Sequence, residues 1–163
     1  MNLLKFHNKI KGYTQNRQPG IEADMEPKPI AELEEYKAAG KLENKVALIT
    51  GGDSGIGRAI AILYAKEGAN VAIGYYDEHQ DAEDTVNRLQ EMGVKAKAYA
   101  HDLKDEKQSQ KLIKDVINDF GSLNILVNNG GVQFPRDHFE DITPQQVKET
   151  FMTNIFGMMF LSQ

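Results

Sequence analysis

The segment Thr50 to Ala59, TGGDSGIGRA, joins an apolar run, KVALI, to a helix-like stretch, IAILYAKEG. Gly51, Gly55 and Gly57 punctuate the turn between them. Glycine permits positive φ and lets a ligand approach the backbone with no Cβ in the way. A helix starting near Ile56 aims free N–H groups and the positive end of its dipole at the same place. A pyrophosphate is the natural occupant, and Ser54 can add a hydroxyl hydrogen bond. Asp53 stands beside this anion site, where direct phosphate contact would repel; it is expected to face outward or cap the helix. The spacing is not G-x-G-x-x-G, although the strand–turn–helix setting that fingerprint requires is present. The plainer alternative is a tight turn with no ligand.

Further along, Val147, Phe151, Asn154 and Met158 share one helical face, which sets an amide within an apolar stripe. An unpaired buried amide costs ~1–3 kcal/mol, so Asn154 should have partners. Asn128 and Asn129 end an apolar strand, where their amides can tie neighbouring backbones together or contact a sugar. His7, His79, His101 and His138 show no metal-ligand spacing, so no metal site is expected and each reads as a surface or loop residue. ELEEYK and DAED read as solvated helix faces.

The elements that hold these residues follow from periodicity. KVALIT is an apolar run suited to a strand buried on both faces. Ile56, Ala59, Ile60 and Leu63 recur at helical spacing, and Gly68 ends that helix. NVAIGYY is a second strand; Ala82, Val86 and Leu89 mark a second helix with Gly93 as its stop. KAKAYAHDL is a third strand, followed by a helix lined by Leu112, Ile113, Val116, Ile117 and Phe120. NILVNN is a fourth strand. Thr143, Pro144 and Gln146 then supply the N-cap, N1 and N3 residues of a fourth helix. Strands alternating with helices of this length predict an α/β fold with a parallel sheet.

Residues 1–44 read differently. NRQPGIEADMEPKPI mixes proline with charge and predicts an extended tail, and PIAELEEYKAAG predicts a short helix stopped by Gly40. The domain itself is expected over 45–163. The whole chain has 163 residues and a net charge of -5, which gives no electrostatic footprint for nucleic acid or an anionic membrane. It has no cysteine, no secretory signal pattern and no run approaching the ~18 apolar residues of a membrane span. A cytoplasmic protein is expected.

TGGDSGIG resembles the TGxxxGIG cofactor loop of the short-chain dehydrogenases/reductases, a family of NAD(P)-dependent oxidoreductases. HDL, NNGG and TNIFG follow in the family's order, and the resemblance covers about residues 43–163. The proline-bearing tail is similar to that of a bacterial subgroup with an extended amino terminus. The resemblance implies a Rossmann-type doubly wound parallel sheet, incomplete, with about four strands in the order 3-2-1-4. It implies a cofactor loop of Gly51, Asp53, Ser54, Gly55, Ile56 and Gly57. Asp102 and Leu103 would lie near the adenine, Asp102 accepting from its amino group unless it is simply a strand-end cap. Asn128, Asn129 and Gly130 would lie near the ribose and nicotinamide. Gly130 departs from the family's alanine and is expected to loosen the backbone there. Asn154 matches the asparagine of the family's catalytic tetrad, acting through a backbone interaction and a water; a satisfied core asparagine is the alternative. Tyr75 takes the tip of strand two, with Asp77 and Glu78 just beyond. An acidic tip suits the 2′-hydroxyl of NAD and a nearby basic residue suits NADP. No lysine or arginine adjoins it in sequence, and the preference between NAD and NADP stays open.

The family's chemistry also needs a tyrosine acid/base, a lysine four residues later and a serine on the preceding strand. The residues four beyond Tyr13, Tyr36, Tyr64, Tyr75, Tyr76 and Tyr99 are Arg17, Gly40, Gly68, His79, Gln80 and Leu103. None is lysine. The expectation is therefore a half-domain truncated before the Tyr-x-x-x-Lys segment and inactive alone. Its intact form would transfer hydride between a nicotinamide and an alcohol or carbonyl substrate. The rival is a non-catalytic nucleotide-binding or interaction module; a methyltransferase on a similar sheet fits the two glycine motifs less well. Self-association is expected, because NILVNN would be an unprotected edge and the fourth helix is more apolar than one sheet face requires.

Overall fold

The computed structural model describes residues 15, 17, 20–25, 27–33 and 35–163; His7 and Tyr13 lie outside the described residues. Four parallel strands form one sheet: β1 (Val46–Thr50), β2 (Asn70–Tyr75), β3 (Ala96–Ala100) and β4 (Ile125–Val127), in the order β3-β2-β1-β4. Helices α1 (Gly55–Lys66), α2 (His79–Glu91) and α3 (Glu106–Phe120) make the crossovers. After β4 come α4 (Pro144–Phe151), a π-turn over Met152–Phe156, and α5 (Gly157–Ser162). The sheet is the Rossmann type, and its strand order is the expected one.

Alternation along the strands builds two cores. Ile49, Val71 and Ile73 face Ala61, Ile62 and Ala65 of α1 and Ala82 and Leu89 of α2. Val46, Leu48 and Ala72 face the other way, toward Leu112 and Val116 of α3 and Leu161 of α5. All five residues of β1 are buried, as a strand covered on both faces requires. The chain steps outward from β1 to β3 and then crosses back to place β4 on the far side of β1. Strand order therefore reverses between β1 and β4. The crevice outside their carboxyl ends is where open α/β sheets bind ligands.

Local signals explain the helix ends. The Asp105 carboxylate accepts from the N–H groups of Lys107 and Gln108 at 2.8 and 3.1 Å, and Gly121 closes α3 at φ 83°. Thr143 and Gln146 form a reciprocal capping box with Pro144 at N1, as their spacing predicts.

Four expectations need correction. Residues 29–40 contain no helix among the described residues, only a turn at Glu35. Their side chains are committed elsewhere: Glu32 pairs with Lys66 and Arg88, and the Tyr36 hydroxyl donates to buried Glu67. Ile56 and Leu63 are exposed, because α1 turns Gly57, Ala61 and Ala65 to the sheet instead. Ile117 of α3 is exposed as well, unlike Leu112 and Val116. Val147 and Phe151 are also exposed, and the π-turn breaks the helical period that placed them with Asn154.

Candidate functional site

A cleft of about 470 Å³ opens at the carboxyl ends of the strands, within the usual ~300–1,000 Å³ of small-molecule sites. The β1–α1 turn supplies Gly51, Asp53, Ser54, Gly55 and Ile56 to its wall. The end of β2 adds Gly74, Tyr75, Tyr76 and Glu78, and the segment after β3 adds His101 through Lys104. Asn129 to Val132 close the side beside β4. Loops from four strands thus meet at the reversal of strand order.

The glycines divide their work. Gly51 has φ 61°, and its N–H donates to the Gly74 carbonyl at 2.8 Å, bending the chain away from β1 toward β2. A Cβ on Gly57 would stand 1.9 Å from the Gly51 carbonyl oxygen, so α1 can begin this close to the turn only with glycine there. Gly55 has φ 51°, and a Cβ on it would meet nothing within 4 Å. That open face lies at the first turn of α1, whose leading N–H groups have no intrahelical acceptor. Ser54 precedes the helix as N-cap, makes no side-chain cap bond and lines the cleft. Donors without a Cβ in front of them suit an anion, and the Glu22 carboxylate already takes the Gly55 N–H at 2.6 Å.

Thr50 and Asn129 lock this turn to β4. The Asn129 amide donates to the Thr50 and Gly51 carbonyls at 2.9 and 3.2 Å, and Thr50 Oγ1 accepts from the N–H groups of Asn129 and Gly130 at 3.0 and 2.9 Å. Gly130 is therefore pinned, contrary to the loosening expected of it; a Cβ there would come 2.9 Å from Leu103 Cδ1. The glycine makes room for a leucine. Asn154 reaches the same wall: its amide oxygen accepts from Val132 N–H and its amide nitrogen donates to Val132 C=O, both at 2.8 Å. A carboxamide reading both backbone groups of one residue satisfies the amide, which fits either reading of Asn154.

Other expectations shift. Asp53 is buried, neither outward-facing nor capping, and burial pushes its carboxyl up, with Asp81 and Glu22 acting in the same direction. Asn128 is exposed and outside the cleft wall, its amide 3.5 Å from Ser162 Oγ. Asp102 lies at the wall, but its carboxylate accepts the Lys104 N–H at 2.9 Å, a local cap. Tyr75 lies there too, its hydroxyl 2.9 Å from His79 Nδ1. His101 is buried rather than at the surface; neither ring nitrogen has a hydrogen-bond partner among the described residues, and burial pulls its pKa down. Asp81, read as part of a solvated face, is buried and accepts the Glu22 N–H at 3.2 Å. Among the described residues no three His, Cys, Asp or Glu side chains cluster to hold a metal.

The tail also reaches the cleft, through contacts that no local sequence signal marks. Glu22 Oε2 accepts the Gly55 N–H at 2.6 Å, and its Oε1 lies 3.0 Å from the Arg58 guanidinium. Arg17 pairs with Asp77 at 2.7 Å and Glu78 at 2.8 Å, just beyond β2. Burial pushes the Glu78 carboxyl up to about 7, and Asp77 adds to this; the Asp77 carboxyl is held low by its hydrogen bond with Glu78 and by Arg17. These contacts span from 33 to 61 residues of sequence, beyond any local pattern.

Known proteins share this arrangement. General stress protein 39 of Bacillus subtilis is 47% identical over 161 residues, covering 99% of this chain and 56% of its own length. The chain thus spans about half the length of the curated relatives it matches. A short chain dehydrogenase from Burkholderia cenocepacia, solved in complex with NADP, aligns at TM-score 0.72 and 36% identity over 75% of this chain and 49% of that one. A xylitol dehydrogenase solved with NAD+ aligns at TM-score 0.71 and 28% identity, over 75% and 46% of the two chains. The family model for short chain dehydrogenase matches residues 45–163, from the start of β1 through α5, and the chain belongs to that family.

Proposed function

We propose that this chain binds a nicotinamide dinucleotide, NAD(H) or NADP(H), with its pyrophosphate at the first turn of α1. It is the cofactor-binding part of an oxidoreductase that interconverts an alcohol and a carbonyl compound. The observation that carries this is Gly55: positive φ, open space in front of it, and helix N–H groups beside it at the reversal of strand order. The nicotinamide, when bound, supplies hydride chemistry. The chain's own residues bind and orient. Thr50 and Asn129 hold the turn against β4, Ser54 offers a hydroxyl to the phosphates, and Asn154 fixes the Val132 backbone along the wall. Relatives with NADP and with NAD+ support the cofactor class and leave its preference open.

These 163 residues contain no tyrosine followed four residues later by lysine. We infer that these residues by themselves bind the dinucleotide without supplying a Tyr-x-x-x-Lys pair for proton transfer. That same observation favours a second reading, a nucleotide-binding module that works by pairing with another chain. Self-association through α4, the π-turn and α5 belongs to both readings, as does a cytoplasmic location. Titration of the chain with NADH, followed by nicotinamide fluorescence, tests the binding. Absorbance of the reduced nicotinamide, watched over a panel of alcohols, sugars, ketones and aldehydes, tests the inertness. Saturable binding with flat absorbance is expected; no binding overturns the cofactor assignment, and sustained turnover overturns the inertness.

A further inference from the structure

A carboxylate from the amino-terminal segment already holds a donor of the glycine turn. Glu22 Oε2 accepts the Gly55 N–H at 2.6 Å, and its Oε1 pairs with Arg58 at 3.0 Å; the side chain is only 11% exposed. The Gly55 N–H leads α1, and a leading donor has no acceptor within its own helix. Glu22 thus stands where an incoming anion would find its partner. Neither Glu22 nor Arg58 lines the open cleft, whereas Ser54, Gly55 and Ile56 do. The segment therefore contests a donor and leaves the volume of the cleft free. It does so against like charge: burial raises the Asp53 carboxyl, and Asp81 and Glu22 both add repulsion to it. The chain on either side is anchored, by Arg17 on Asp77 and Glu78 and by Glu32 on Lys66 and Arg88. A carboxylate released between two anchors stays near the turn at high effective concentration and can return.

We propose that Glu22 is a built-in competitor of the dinucleotide: it occupies the Gly55 N–H in the free chain, and the pyrophosphate displaces it on binding. The proposal rests on the dinucleotide reading above and adds a tail contact that must open before the site is full. NAD(H) and NADP(H) share the pyrophosphate, so the competition weakens both alike. Displacement also takes away the carboxylate that neutralises Arg58, and the exchange of one anion for another keeps negative charge at the turn.

The test is titration of the full chain with NADH and with NADPH by nicotinamide fluorescence, and with ADP-ribose by calorimetry, repeated on Glu22→Gln and Glu22→Ala. Glutamine keeps an oxygen for the Gly55 N–H and removes the charge; alanine removes the competitor altogether. Each variant should bind both dinucleotides about fivefold tighter or more, the scale of relieving repulsion between nearby, partly exposed charges. Folded variants with unchanged or weaker binding show Glu22 to be a brace for the turn and overturn the proposal. A gain for one dinucleotide alone also overturns it. Amide hydrogen exchange of the wild type supplies an independent measurement. The N–H groups of Glu22, Asp24 and Met25 are bonded to Asp81, Ile21 and Glu22, and saturating NADH should speed their exchange by about threefold or more as the segment opens. Unchanged or slower exchange there overturns the proposal, and this result decides should neither variant fold. Failure of NADH, NADPH and ADP-ribose alike to bind wild type and variants removes the dinucleotide reading and this proposal with it; binding indifferent to Glu22 removes only this proposal.

Discussion

Gly57 lies so close to Gly51 that a Cβ added to it would stand 1.9 Å from the Gly51 carbonyl oxygen, with the Asn129 amide nitrogen at 2.7 Å. The contact is backbone against backbone, so no rotamer change can relieve it. Gly55, two residues earlier, is the opposite case, because its missing side chain faces open space. One glycine serves packing and the other serves approach.

The two positions should therefore fail in different ways. Gly57→Ala forces α1 away from β1 and breaks the Thr50–Asn129 lock, and should cost about 1–3 kcal/mol or more as an overpacked core does. Gly55→Val meets no neighbour; it costs about 1–2 kcal/mol for a side chain at φ 51° and blocks the approach of the pyrophosphate. Thermal melting by circular dichroism and NADH titration separate them. Gly57→Ala should melt early, and Gly55→Val should stay folded and lose binding. Equal NADH binding by wild type and Gly55→Val would remove the turn from the site.

His101 gives the cleft a pH dependence. Gly74 leaves room for its ring, since a Cβ at Gly74 would lie 2.5 Å from His101 Cε1. Burial lowers its pKa below the ordinary 6.5, while the unfolded chain takes up a proton near that value. The unfolded state then binds more protons below pH ~6.5, so stability from this residue is full above that pH and is lost as pH falls toward the folded-state pKa. Urea denaturation at a series of pH values should show this decline, and His101→Phe should flatten it. An equally steep decline in the variant would assign the acid sensitivity to other groups.

Much of this molecule is legible in its sequence because the signals are short-range. The run VALIT, the glycine turn, the stops at Gly68 and Gly93, and the Thr143–Gln146 cap each act within a few residues. Together they carry four strands and their helices, while the sheet order comes from the family resemblance. The site at the glycine turn follows from the same signals, whereas the Val132 partner of Asn154, 22 residues away, does not. Long-range electrostatics was not legible. Glu22 on Gly55, Arg17 on Glu78 and Tyr36 on Glu67 join parts of the chain 33, 61 and 31 residues apart. The described residues of 29–40 form no helix, where local propensity favours a turn of one. Gly130 misleads for a related reason: its neighbour Leu103 comes from beyond β3, and only the fold shows that the space is filled.

The run of α4, the π-turn and α5 should bring two copies of the chain together. Phe151, Ile155, Phe156 and Met159 are 55%, 44%, 42% and 55% exposed. Four large apolar side chains on one short helical run form a patch beyond the scattered exposure normal for a soluble surface. Beside them β4 is the outer strand of the sheet, pairing only with β1 among the described strands, and its residues are only partly buried. An open strand edge next to an apolar helix face is a template for association. Burying each side chain is worth roughly 1.5–3 kcal/mol when complete, a large sum beside a total stability of ~5–15 kcal/mol. A second copy of this chain can cover the patch by a two-fold contact, in which Phe151 and Met159 meet their own counterparts. Size exclusion with light scattering should give twice the 18.2 kDa chain mass or larger. Phe151→Glu with Met159→Lys should shift the population toward monomer, because a charge placed in an apolar contact must be desolvated. A sharp monomer peak for the wild type, with cooperative melting, would show that the helix face and the strand edge stay uncovered in solution.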